Sequence, residues 1–502
     1  MYYDDEENVR TYRRSVVFLF TMAVQEMYPE AEVVVRLTAN KGLYCDVTMN
    51  GKDMLDESMV KTLAGRMREL IDEDIPIEKR ILPRGEAVQL FKGEKSRQIA
   101  KANLIAALPQ ETVSIYFCGD SYDYFYGDMM KSTGALGSFA LDYCAPGLLI
   151  RTPDMSGKIP ERVEQPKLLH TLSDSKKWAS ILDCSFIPDL NRQIQNGKAG
   201  DLIRVSEALQ EKKIAEIADK IEKNIDNARL VLIAGPSSSG KTSFSQRLKV
   251  QLRVVGLNPV SISLDDYFVD RDATPLTPDG RYDYESIDAL DVKQFNEDLV
   301  ELLAGRDVSL PRYDFITGAR DPKPSEPVMI GPRQPIIVEG IHGLNEKLTS
   351  SIPRDKKFKI YVSALTQLNI DAHNRIPTTD ARLIRRLVRD YQFRGSSALK
   401  TLRQWPDVRA GEEKNIFPFQ EEADAVFNSA LLYELAVLKK YVVPLLKQVS
   451  PNMPEYKKAR RLLDFCPYFA DITNEDEIPN NSILREFVGK SCFFTSTGDL
   501  KS

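Results

Sequence analysis

LVLIAGPSSSGKTSF, residues 230–244, decides how this 502-residue chain is read. An apolar run stops at Gly235, four small or restricted residues follow, and Gly240, Lys241 and Thr242 complete the pattern G-x-x-x-x-G-K-[ST]. The helical pattern SFSQRLKVQLRVV comes directly after. In a strand–turn–helix of this kind the glycines let backbone N–H groups curl around phosphate oxygens. The lysine reaches the terminal phosphates, and the hydroxyl after it is offered to Mg²⁺. The candidate phosphate-binding residues are therefore Gly235, Pro236, Ser237, Ser238, Ser239, Gly240, Lys241, Thr242 and Ser243, and the implied ligand is ATP with Mg²⁺.

Around that loop the rhythm is strand, loop, helix. Apolar runs at 229–234, 259–264, 334–340 and 357–364 are separated by helical patterns, which predicts a parallel sheet with crossover helices. Ligands of such sheets gather at the carboxyl ends of the strands. Two carboxylates, Asp265 and Asp266, emerge at one of those ends, where a base could orient an acceptor hydroxyl. Glu339 ends another and is a candidate magnesium ligand beside Thr242, with Asp265 as a further one.

The first half has a different texture. Helical patterns at 15–28 and 56–74, a strand pair within 32–49 and a strand at 112–119 predict an α+β module. The proline- and charge-rich 151–167 marks a boundary, and 202–224 reads as a long helix leading into the glycine loop. The expected division is 1–150 for the α+β module, 151–225 for a connector, 226–435 for the α/β phosphate-loop part and 436–502 for a helical tail.

Composition excludes several classes. A formal net charge of -5 gives no general basic surface for nucleic acid or anionic membrane. No run of about 18 apolar residues is present, so no membrane span is expected. VVFLFTMAV (16–24) imitates a signal sequence, but the acidic start MYYDDEE and the lack of a small-residue cleavage site argue against one. Six scattered cysteines without a C-x-x-C pair suit reduced thiols in the cytoplasm. Oligomeric state is left open, a homo-oligomer included.

Further motifs run in series after the loop: SLDDYF, YDYESIDALD (282–291), LPRYDFITGAR (310–320), VEGIHGLN (338–345) and TDARLIRRLVRDYQFRG (379–395). In order and style they resemble the uridine kinase and phosphoribulokinase family over roughly 225–435, nearest its uridine kinase branch. The resemblance implies transfer of the γ-phosphate of ATP to the 5′-hydroxyl of a nucleoside. It implies Asp265 as the base, Tyr267 and Asp283 on the acceptor side, Tyr313 packed on the nucleobase and Arg382 on the nucleoside. Lys241, Arg385 and Arg389 would act on the transferring phosphate, the arginines from a helical lid. One departure is Gly318, where uridine-cytidine kinases carry a histidine that reads the pyrimidine edge; selectivity is expected to differ. A phosphorylated sugar as acceptor, and a nucleotide-switched RNA-binding regulator, are the alternatives.

The front half, roughly 10–150, resembles the second N-terminal domain of threonyl-tRNA synthetases, on SVVFLFTMAVQEMYPEAEVVV, KGLYCDV, ILPRGEAVQLF and YDYFYGDMMKSTG. That family's editing centre carries metal-binding side chains where this chain has Arg14, Phe18, Phe125 and Met129. The resemblance therefore implies a fold without hydrolytic editing, a module that docks RNA, regulates or assembles.

Overall fold

The computed structural model of the chain describes residues 5–494, except 40, 94–97, 278–279, 315–316, 322–324 and 367. It forms two compact units whose stretches of chain alternate. The first takes 1–199, 366–380 and 457–472; the second takes 200–365, 381–456 and 473–502.

The first unit is α+β. Its opening helix, Glu6–Met27, starts nine residues before the periodic apolar stretch because the acidic lead suits a helix N-terminus: the Asp5 side chain accepts from the Glu7 amide, and Glu6 and Glu7 fill the first turn. Its apolar side, Val16 to Val24, is buried against an antiparallel sheet. The sheet runs Ala31–Ala39, Gly42–Met49, Gly147–Arg151, Ala140–Cys144, and Lys52–Asp53 pairs with the second strand. The helix Glu57–Asp72 adds Val60, Leu63, Met67 and Leu70, apolar residues three and four apart, to the same core. A second sheet joins Ile77–Pro83, Thr112–Cys118 and Ser121–Asp123.

The second unit is α/β. Its sheet has the order Val260–Ser263, Ile336–Glu339, Leu230–Ala234, Lys357–Ser363, Ala425–Asn428, with every neighbouring pair parallel. Leu230–Ala234 lies at the centre and is buried throughout, as a strand covered on both faces must be. The four apolar runs of the sequence became four of these strands. The fifth, Ala425–Asn428, is too short and too mixed to stand out by pattern. After it come the helices Glu434–Leu446 and, in the first unit, Tyr456–Phe465. No helix among the described residues is long and apolar enough to cross a membrane.

Candidate active site

The phosphate loop leaves the carboxyl end of Leu230–Ala234 and turns into the helix Lys241–Val254. Glycine is needed twice. A Cβ on Gly235 would lie 1.9 Å from the Val362 carbonyl oxygen, and Gly240 sits at φ +81°. The loop is braced from outside at successive peptide groups. The Ser237 carbonyl accepts from Arg382 Nη1 at 3.0 Å and that of Ser238 from Arg385 Nη1 at 3.3 Å, while that of Ser239 accepts from the Ser429 hydroxyl. The Ser237 amide donates to Glu412 Oε1 at 2.9 Å. These bonds fix the peptide planes before any ligand arrives.

The two bracing arginines are themselves buried and paired, Arg382 with Glu412 and Arg385 with Glu434. Arg385, expected on a lid, is fully enclosed, with its guanidinium over the Phe487 ring and two donors on Ser429. Arg382, expected at the nucleoside, lies over Trp405 instead. Both come from Thr378–Arg394, where Arg386 also donates to the Ser237 hydroxyl at 2.7 Å and Arg389 pairs with Asp390 at 3.0 Å. Glu412, Ser429 and Glu434 had no sequence signal; each is one ordinary polar residue far from the loop in the chain.

Inside the loop, Thr242 Oγ1 donates to Glu339 Oε1 at 2.7 Å, which joins the residues at two strand ends. Burial pushes the Glu339 carboxyl up to about 7, against the pull of Lys241 and of the Thr242 hydroxyl. Burial also lowers Lys241, whose Nζ rests on the Pro236 carbonyl at 3.3 Å. Glu339 Oε2 and the Ser238 and Ser239 hydroxyls are buried with no hydrogen-bond partner. Orphaned polar atoms are costly, and these fit a nucleotide's phosphates and a hard cation: two hydroxyl donors on the loop and a carboxylate oxygen at the neighbouring strand end.

The adjacent carboxylates diverge. Asp265 keeps solvent access beside Lys241; the protein crowded around it raises its carboxyl above the usual range, with Lys241 and Arg394 pulling the other way. Asp266 accepts from the Tyr313 backbone amide and so anchors the small sheet Tyr313–Asp314 with Ala319–Arg320. Tyr267, expected to face the acceptor, is a core residue: it is enclosed, edge-on to Phe295 at 4.9 Å, and its hydroxyl donates to Asp298 at 2.8 Å. Tyr313 packs 5.6 Å from Phe268, itself 6.0 Å from Tyr284, just beyond Asp283. Phe315 and Ile316 of the same motif lie outside the described residues. Gly318 takes φ +72°, and a Cβ there would meet the Arg271 guanidinium at 2.5 Å. His342 is buried and neutral, pushed down to about 4 by burial.

Residues 230–434 match the model of the Phosphoribulokinase / Uridine kinase family. This stretch therefore resembles a P-loop kinase domain, and the braced loop lies at its start. Among solved structures, a possible uridine kinase from Bacillus stearothermophilus aligns with 42% of this chain and 97% of its own, at 20% identity and a TM-score of 0.28. The N-terminal region resembles another family. The chain is 33% identical over 136 residues to the threonine–tRNA ligase of Pelagibacter ubique and 35% identical over 138 residues to that of Hahella chejuensis. Each match takes 27% of this chain and spans about a fifth, 21%, of the relative.

In the synthetase-like unit, the four positions singled out from the sequence lie close together. The Phe18 and Phe125 rings are 5.7 Å apart, Met129 Sδ lies 3.8 Å from the Ser15 hydroxyl, and Arg14 donates to the Asp128 carbonyl. Phe125 also stacks on His373 at 6.5 Å. His373 Nδ1 is 2.5 Å from Asp123 Oδ2, and Lys101 pairs with the same carboxylate, all of them buried. The segment carrying His373 lies beyond the part of the sequence that suggested this unit, so no local pattern announced the cluster.

Proposed function

We propose that the chain is an ATP-dependent kinase that transfers the γ-phosphoryl group to the 5′-hydroxyl of a nucleoside. The observation that carries this reading is the Thr242–Glu339 bond beside Lys241, with Asp265 open to solvent at the next strand end. Thr242 and Glu339 would hold magnesium, with Asp265 nearby; the ion would neutralise charge on the phosphate oxygens. The loop amides and Lys241 hold the nucleotide. Asp265 takes the proton of the acceptor hydroxyl as its oxygen bonds to phosphorus and the bond to the β-phosphate oxygen breaks, leaving ADP. Arg389 and Arg386 lie on the side of the phosphates, while Asp283 and Tyr313 line the acceptor side. Arg382 and Arg385 act at one remove, by holding the loop.

In this reading the kinase chemistry lies within 226–435, and the synthetase-like module, without editing chemistry, has its sequence signature within 1–150; 151–199, 366–380 and 457–472 complete that first unit. The setting is nucleotide salvage in the cytoplasm. A phosphorylated sugar as acceptor has one observation in its favour, the Arg271 guanidinium beside Gly318, a cation on the acceptor side. The test is an ATP-consumption screen of the purified chain against ribo- and deoxyribonucleosides and sugar phosphates, with Lys241→Ala as blank and product masses measured. A nucleoside monophosphate supports the main reading, a sugar bisphosphate the second. ATP binding without any phosphorylated product would sink both.

A further inference from the structure

The tail beyond the family match enters the nucleotide cradle. Glu486 Oε2 accepts from the Ser243 hydroxyl at 2.7 Å and lies 3.4 Å from the Ser243 amide nitrogen. Ser243 stands in the first turn of the helix that follows the loop, where amide donors and the helix dipole favour an anion. The Glu486 charge is also felt at Lys241, Glu339 and Arg394.

The segment around it is held firmly. Phe487 is enclosed beneath the Arg385 guanidinium, 5.1 Å from its carbon. Arg485 donates to the carbonyls of Glu475 and Ile478 at 2.6 and 2.8 Å, and the Ser482 hydroxyl donates to Glu207 at 2.5 Å. Ile483 lies so near the loop that a Cβ on Gly240 would come within 2.5 Å of its Cγ2. The loop glycine therefore serves the tail as well as the turn.

We propose that the C-terminal segment is an intramolecular competitor for nucleotide phosphate, with the Glu486 carboxylate occupying the Ser243 donors until a phosphate replaces it. This rests on the reading of 235–243 as a nucleotide site. A carboxylate and a phosphate on the same donors repel at contact distance, so nucleotide binding requires Glu486 to withdraw. The apparent affinity falls by the fraction of molecules in which it has done so.

The experiment is direct binding of ADP, by calorimetry, to the full chain and to Glu486→Gln. The amide retains size and removes charge; binding is expected to tighten about tenfold. Hydrogen exchange of residues 482–488 in the unaltered chain supplies a second readout, and it should rise on adding ADP. Equal affinity in the two proteins, or weaker binding by Glu486→Gln, overturns the proposal while leaving the nucleotide site standing. Increased protection of 482–488 with ADP overturns it too, since the tail would then close on the nucleotide. If neither protein binds ADP, the nucleotide site itself falls, and the proposal with it.

Discussion

Asp265 and Asp266 are neighbours in sequence, yet the fold sends one into the cleft beside Lys241 and spends the other on the Tyr313 amide. If Asp265 is the base, Asp265→Ala should lower kcat by about 10²–10⁴-fold with ADP affinity retained, and Asp266→Ala should act mainly through the acceptor KM. Steady-state kinetics with direct binding separates the two. At Gly318 the left-handed backbone opposes a side chain, whereas the Arg271 guanidinium, the end of a flexible side chain, can move aside. Gly318→His should therefore cost about 1–3 kcal/mol in thermal unfolding before it alters selectivity. Glu339 offers a pH test. Its carboxyl is raised from the ordinary range to about 7, so the fold favours the protonated form. That contribution is full below about pH 4.5 and is lost as pH rises through about 7. Glu339→Gln should gain thermal stability over the unaltered chain between those limits, and added Mg²⁺ should narrow the gap by stabilising only the carboxylate.

The helix Thr378–Arg394 shows what an element contributes beyond its residues. In sequence its arginines look interchangeable, and a lid is the natural reading. In the structure, Arg382 and Arg385 face inward to Glu412 and Glu434, whereas Arg386 and Arg389 are less enclosed and pair with Asp390. Cutting one half of a buried ion pair strands the other charge. Arg385→Met should thus cost about 3–5 kcal/mol in denaturant unfolding, and Arg385→Met with Glu434→Leu should recover much of it. A purely catalytic arginine would lower kcat without that stability signature. The loop, its strand, its helix and the Glu339 strand end were legible because local spacing alone specifies them. Which arginine turns inward was not, since Glu412 and Ser429 reach the loop, and Glu434 reaches Arg385, only through tertiary packing. Tyr267 failed for the same reason: its motif position was clear, but the hollow between Phe295 and Asp298 that receives it was not.

At the scale of the whole molecule, the surprise is how the chain is shared out. Two textures of sequence predicted two kinds of fold, and both are present. The alternation was hidden because 366–380 and 457–472 carry no pattern that separates them from their neighbours. They are nonetheless integral to the first unit. The Val35 amide donates to the Ala372 carbonyl at 2.8 Å, the Asn369 side chain donates to the Val35 carbonyl at 2.6 Å, and Asn191 donates to the Tyr468 carbonyl at 2.7 Å. A fragment of residues 1–199 would leave Lys101 and Asp123 buried without His373. It is expected to unfold less cooperatively in urea than the same region of the full chain and to bind an apolar dye, as near-ultraviolet circular dichroism and fluorescence would show.

That threading also bears on inheritance. Chains stitched end to end can trade parts by recombination at one junction, and each part arrives entire. Here the first unit draws its last pieces of chain from 366–380 and 457–472, far downstream of its main body. A crossover after residue 199 would deliver it without His373 for Asp123 and without Tyr468 for Tyr124. Gene exchange at that point would leave a gap in the first unit's core.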